Sequence, residues 1–158
     1  MAGKSTSFRL TSAQATARFA TALSCRLRAG DTLLLSGPVG AGKTHFARHL
    51  IQSLLAETED VPSPTFTLVQ TYETHAGPLW HADLYRITST HEIEELGLAE
   101  AFGNNICVVE WPDRLGELSP PDALSLAFSQ GELEDERLIT ATWAAGRWDP
   151  ALKELTIA

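Results

Sequence analysis

Lysine is scarce in this chain. Of 158 residues only Lys4, Lys43 and Lys153 carry it, and the 12 lysines and arginines together face 20 aspartates and glutamates, for a formal charge of −8. Such a balance excludes an extended nucleic-acid footprint, because neutralising a phosphate backbone takes clustered basic residues. DNA binding is not expected, and any link to RNA is expected to be indirect. Cysteine is nearly absent too: Cys25 and Cys107 stand far apart and match no metal or redox spacing, so two reduced, packed thiols are expected and no disulfide framework. No apolar run approaches the roughly 20 residues that span a bilayer, and residues 1–7 hold no apolar signal core. A cytoplasmic protein without membrane attachment is the expectation. Repeats, low-complexity tracts and long linkers are also missing. A chain of this length with 44% hydrophobic residues can bury one core and is short for two, so residues 1–158 read as a single domain.

Against that background one segment stands out. Gly37-Pro38-Val39-Gly40-Ala41-Gly42-Lys43-Thr44 spells G-x-x-x-x-G-K-[ST], placed between an apolar run at 32–36 and a helical pattern that begins at His45. The glycines let the chain curl until successive backbone N–H groups point at one anion, and the following helix adds the positive end of its dipole. In such a loop Lys43 would reach the β- and γ-phosphates and the Thr44 hydroxyl would ligate Mg²⁺. A nucleotide-binding chain follows.

The periodicities around the loop predict an α/β fold of the P-loop NTPase kind, three-layered, with a mostly parallel or mixed central sheet flanked by helices. Residues 7–10 read as an edge strand, and Thr11-Ser12 as a cap for a helix over 13–28, where Phe19, Leu23 and Leu27 recur at steps of four. A buried strand over 32–36 precedes the P-loop helix, 43–56. An acidic turn at 57–60 leads into Val61-Pro62-Ser63-Pro64, which the prolines make a stiff, non-helical loop. Strands over 65–72 and 79–84 flank a turn at 75–78. A short helix over 92–98, capped by Ser89 or Thr90, and a further turn over 99–102 follow. Residues 106–109 form a second buried strand ended by Glu110. After an irregular stretch, 124–128 and 138–143 pair as a hairpin around an acidic loop at 131–136, and 149–155 close the chain as a helix.

Hydrolysis needs more than a phosphate cradle: an acid in the Mg²⁺ shell and a group to place the attacking water. Glu110 would emerge at the carboxyl end of a central strand, where ligands of open α/β sheets gather. Asp83, in His81-Ala82-Asp83-Leu84-Tyr85-Arg86, shares a strand face with His81 and Tyr85 and suits a second acid or a water-orienting base. His81 and Asp83 alone do not make a zinc site; a structural hydrogen bond is the other reading. Ser63 and Thr65 could report the γ-phosphate as a switch or could be ordinary turn residues. Trp111 serves either rim packing or a functional contact, and Arg86 and Arg114 either stabilise charge or pair with carboxylates.

Five blocks, 37–44, Ser-Pro-Thr-Phe-Thr-Leu-Val at 63–69, His-Ala-Asp-Leu-Tyr-Arg at 81–86, Glu-Glu-Leu-Gly-Leu at 94–98 and Val-Glu-Trp-Pro-Asp-Arg-Leu at 109–115, together resemble the TsaE (YjeE) family in order and spacing. The resemblance covers about residues 7–155. It implies a small bacterial Mg²⁺-dependent ATPase whose ATP hydrolysis lets TsaD and TsaB turn over repeatedly in making threonylcarbamoyladenosine beside the anticodon of tRNA. It further implies phosphate contact by Lys43, Mg²⁺ held by Thr44 and Glu110, a switch at Ser63 and Thr65, hydrolysis supported by Asp83, Trp111 near the nucleotide, and Thr16 toward the nucleoside. The chain departs from the family at Pro38, usually Asp, at His45, usually Thr, and at Ala82, usually aromatic. Pro38 removes one N–H from the loop and His45 a hydroxyl that could touch the α-phosphate. Two other readings of a P-loop remain at this point: a small-metabolite kinase and a non-hydrolysing nucleotide-gated binding module.

Overall fold

The computed structural model describes residues 3–64 and 66–157, with side chains as far as Leu155. The segment 32–36 forms β2 (Thr32–Ser36) and alternates its leucines across the sheet: Leu33 and Leu35 enter one core, Leu34 the other. Strand β5 (Ile106–Glu110) does the same, with Ile106 and Val108 on the first side and Cys107 and Val109 on the second. Both strands are therefore apolar on two faces, which places them in the middle of a covered sheet.

That sheet has seven strands in the order β1-β7-β6-β2-β5-β4-β3, adding β1 (Lys4–Leu10), β3 (Val69–Thr74), β4 (Gly77–Asp83), β6 (Leu124–Gln130) and β7 (Arg137–Trp143). The four inner strands β6, β2, β5 and β4 run parallel, while β3, β7 and β1 are antiparallel to their neighbours. The sheet is thus mixed, as the sequence pattern allows. One face is covered by α1 (Ala13–Ser24), α2 (Lys43–Leu54) and α5 (Asp149–Ile157), which bring Phe19, Leu23, Phe46, Leu50 and Leu152 into the larger core. The other face carries α3 (Thr90–Glu95), α4 (Leu98–Ala101) and a 3-10 segment, Pro112–Leu118.

Local chemistry explains where the boundaries differ from those predicted. Ser12 caps α1 by accepting the Ala15 N–H at 3.0 Å. The helix stops at Ser24 rather than at 28, because the Asp31 carboxylate takes the Arg28 N–H at 2.9 Å, a donor that a continuing helix would use itself. Strand β3 starts at Val69 and not at 65: Leu68 is left-handed (φ 70) and its N–H returns to the Pro64 carbonyl at 2.7 Å. The β3–β4 turn is tighter than 75–78, because the Thr74 hydroxyl bonds the Gly77 carbonyl at 2.5 Å and Pro78 already pairs with Glu73. Helix α3 begins at Thr90, after Ser89, where Glu92 accepts the Thr88 and Ser89 N–H groups at 2.8 and 3.2 Å.

Cys25 is exposed, contrary to the expectation of two packed thiols: it caps the end of α1, where the chain leaves the core. Cys107 is buried and its thiol is pushed up to about 12 by burial. Among the described residues no helix is long and apolar enough to cross a membrane.

The β6–β7 hairpin is tied to β1 by Glu136, whose carboxylate takes the Arg9 guanidinium at 2.7 Å and the Glu132 N–H at 2.8 Å. Those two bonds, Arg9 first, hold the carboxyl below its usual range. A depressed native value stabilises the fold above the unfolded carboxyl range, and that stability is lost as pH falls through the native value. Glu136→Gln is therefore expected to melt at a lower temperature than the parent at about pH 7, with the gap closing toward about pH 3. A gap that stays constant across thermal melts in that range would contradict the pairing.

Candidate functional site

At the carboxyl end of β2 the chain turns through residues 37–42 into α2. Gly37 (φ 134), Gly40 (φ 84) and Gly42 (φ 100) all take backbone conformations that side chains disfavour. At Gly37 the requirement is steric as well, since a Cβ there would collide with the Phe128 carbonyl oxygen of β6. Gly42 ends the loop as the N-cap of α2, and a Cβ there would lie 3.0 Å from the Arg137 Nε of β7. The hairpin therefore forms the rear wall of the loop.

In front of it opens a cavity of about 400 Å³, bounded by Val39, Gly40 and Gly42 to His45 on one side and by Asp83, Tyr85, Glu110 and Trp111 on the other. Lys43 is 4% exposed. Its Nζ donates to the Gly37 carbonyl and stands 3.6 Å from the centroid of the Trp111 ring. Burial lowers its pKa, against the opposing pull of the Glu110, Asp83 and Asp113 charges.

Glu110 closes β5 with 1% exposure, opposite Leu35 on β2 and Asp83 on β4. The Thr44 hydroxyl donates to its Oε1 at 2.9 Å, and His81 Nε2 lies 2.7 Å from its Oε2. Parallel register brings these groups together: β2, β5 and β4 end at one level, so residues 66 positions apart in sequence meet. Asp83 is buried at the end of β4 and accepts the Tyr85 N–H at 3.0 Å. Trp111 is left-handed (φ 61), a conformation that costs about 1–3 kcal/mol in a bulky residue. That turn faces its ring to Lys43 on one side and to Tyr85, 4.8 Å away, on the other.

The remaining predicted residues fall around this centre. Pro38 and Ala41 lie within the loop, where the Ala41 N–H closes a turn on the Pro38 carbonyl at 3.2 Å. Thr16 is buried on α1, bonded to the Ser12 carbonyl at 3.3 Å, and lines a second cavity of about 230 Å³ with Ala13, Gly42, His45, Asp135 and Arg137. Gly42 and His45 border both cavities, so the two adjoin. His45 stacks edge-on to His49 at 4.5 Å, and its Nε2 is buried without a hydrogen-bond partner. Ser63 is exposed and does not line the first cavity; Thr65 lies outside the described residues. Arg86 packs over Phe66, and Arg114 donates to the Tyr85 carbonyl at 3.4 Å. Asp135 and Arg137 were not anticipated, since they arrive from a hairpin about ninety residues beyond the loop and no local motif marks them.

Among the described residues no cluster of three or more His, Cys, Asp or Glu side chains could hold a metal unaided. A magnesium ion beside phosphates needs fewer protein ligands, because phosphate and water oxygens fill most of its octahedral shell. Thr44 and Glu110, an alcohol and a carboxylate 2.9 Å apart beside the loop, fit that hard cation.

Comparison with known proteins agrees with the architecture. A family model described as "Threonylcarbamoyl adenosine biosynthesis protein TsaE" matches residues 10–139. The chain is 38% identical to the tRNA threonylcarbamoyladenosine biosynthesis protein TsaE of Rickettsia bellii over 133 residues, 84% of this chain and 92% of that one. It is 39% identical to the protein of the same name from Bacillus subtilis over 128 residues, 80% of this chain and 78% of the relative. The crystal structure of YdiB from Bacillus subtilis superposes with a TM-score of 0.77 at 29% identity, covering 99% of this chain and 97% of that one.

The wall behind the loop makes the glycines unequal. Gly37→Ala meets both an unfavourable φ and the Phe128 carbonyl and should destabilise by about 2–4 kcal/mol. Gly40→Ala meets open space and should cost about 1 kcal/mol, for backbone strain alone. Equal midpoints of the two variants in urea unfolding would show that the hairpin does not back the loop.

Proposed function

The chain belongs to the TsaE family of threonylcarbamoyl adenosine biosynthesis proteins, and from that premise we propose that it binds and hydrolyses ATP with Mg²⁺ in the cavity between the P-loop and Glu110. The hydrolysis drives repeated turnover of a TsaD–TsaB complex that modifies tRNA in the cytoplasm. The observation that carries the ATPase reading is the hydrogen bond from Thr44 to Glu110. By donating its proton to the carboxylate, the Thr44 hydroxyl keeps its lone pairs available to a cation.

The chain's own groups divide the work. Backbone N–H groups of the loop and the first turn of α2 receive phosphate oxygens, and Lys43 supplies a positive charge from a site that excludes most water. Thr44 and Glu110 would hold Mg²⁺, which would supply positive charge against the phosphate groups. Asp83, buried on the adjoining strand, orients the attacking water. Trp111 holds the Lys43 side chain beneath its ring and narrows access to the bulk. The adjoining cavity with Thr16, His45 and Arg137 receives the nucleoside.

The mouth of the site supports the partner reading. Val39 and Tyr85, two large apolar residues left 79% and 49% exposed, line the cavity itself. A partner seated on them would feel the nucleotide directly. The charge of −8 keeps tRNA on the partner's side of the assembly.

The test is multiple-turnover threonylcarbamoylation of tRNA by TsaD and TsaB, supplied with threonylcarbamoyl-adenylate, with and without this chain and ATP. Stimulation should need both ATP and Lys43, and Lys43→Ala should stimulate no more than buffer while keeping the parent's circular dichroism. Stimulation by Lys43→Ala, or without ATP, would refute the proposal. Glu110→Ala should slow Mg²⁺-dependent hydrolysis by about 100-fold while weakening nucleotide binding far less. Equal losses in the two, read by phosphate release and nucleotide titration, would remove Glu110 from the metal shell.

A further inference from the structure

We infer that His81 is the positioning residue of this site: it clamps the Glu110 carboxylate in the orientation that serves Thr44 and thereby sets the affinity of the nucleotide complex for Mg²⁺. The inference rests on the reading of Thr44 and Glu110 as the magnesium-binding pair.

Its basis is the geometry of one buried carboxylate. Glu110 has two oxygens and uses them in different directions, Oε1 toward Thr44 at 2.9 Å and Oε2 toward His81 at 2.7 Å. His81 lies on β4 opposite Val108, so its side chain is the diagonal neighbour of Glu110 on the same sheet face. Both side chains are almost wholly buried, at 1% and 2% exposure, so water does not compete for Oε2. Lys43 is the nearby cation, but its Nζ is bonded to the Gly37 carbonyl and covered by Trp111. With the contact to His81 removed, Oε2 would be a buried acceptor without a donor, and the carboxylate would rotate in search of one.

The other ring nitrogen argues that this contact is why a histidine is here. A carboxylate oxygen only accepts, so the bridging proton belongs to Nε2. Nδ1 is then left buried without a partner. A leucine or phenylalanine would fill the space with no such orphan, so packing alone favours an apolar residue at position 81. What an apolar residue lacks is the N–H aimed at Glu110. Hydrogen bonds to a metal-binding carboxylate from the layer behind it tune metal affinity by about 10–100-fold.

The experiment is titration of a fluorescent ADP analogue into the full chain, with excess Mg²⁺ and with EDTA, for the parent, His81→Gln, His81→Asn and His81→Leu. The ratio of the two affinities reports the metal contribution. Glutamine places an N–H where Nε2 stands and should keep the parent ratio. Asparagine reaches only the Nδ1 position, and asparagine and leucine should each reduce the ratio about 10-fold, with affinity in EDTA unchanged. A merely structural role would lower the melting temperature without moving the ratio. Should leucine prevent folding, the glutamine and asparagine pair decides alone. Equal ratios in the parent and all folded variants would overturn the inference and leave the magnesium reading standing. A parent that binds no nucleotide, or binds it equally with and without Mg²⁺, would overturn both.

Discussion

A carboxylate taken out of water costs several kcal/mol unless its oxygens find donors. Glu110, 1% exposed in the centre of the sheet, finds one on each side, and much of the molecule is arranged so that it does. The parallel register of β2, β5 and β4 ends three strands at one level. The left-handed turn at Gly42 starts α2 where Thr44 faces the carboxylate. The same strand ends supply Asp83 and deliver Trp111, so glycine loop, acid and aromatic cover meet at one point.

The antiparallel half of the sheet supports that point from behind. Phe128 and Arg137 press against Gly37 and Gly42, and the acidic end of their hairpin is held to β1 through Arg9 and Glu136. The C-terminal segment braces the same half. Trp148 is fully buried with its Nε1 on the Asp122 carbonyl at 2.9 Å, and Trp143 donates to Asp149 at 2.7 Å. Arg147 lies over Trp148 and reaches Asp31 at 2.8 Å, at the root of β2. Burial raises the Asp31 pKa against the pull of Arg147 and the Arg28 N–H. The tryptophans at 143 and 148 are thus structural, and they link the edge of the sheet to the strand that carries the loop.

Much of this was legible in the residues, because it is local. The two buried strands announced themselves as apolar runs, the loop by its glycines and Lys43-Thr44, and the carboxylate by its place after Val108-Val109. Element ends were harder where side chains compete with the backbone. Asp31 shortens α1, and the return of Leu68 to Pro64 delays β3. Nothing in His81-Ala82-Asp83 says whether the histidine faces its neighbour on the strand or a carboxylate 29 residues later, because parallel register is a property of the assembled sheet. Arg137, likewise, becomes part of the loop's wall only when the hairpin folds back. Of the three departures from the family pattern, His45 is one whose place the sequence did not foretell: it borders both adjoining cavities.

The central claim is that one buried carboxylate organises a magnesium–nucleotide site, and a crystal structure of the chain with Mg²⁺ and a non-hydrolysable ATP analogue tests it most directly. The account predicts the triphosphate against the loop from Val39 to Thr44, the ion beside Thr44 and Glu110, and His81 still bonded to the second carboxylate oxygen. An ion held by other residues, or a nucleotide seated away from Lys43 and Glu110, would contradict it.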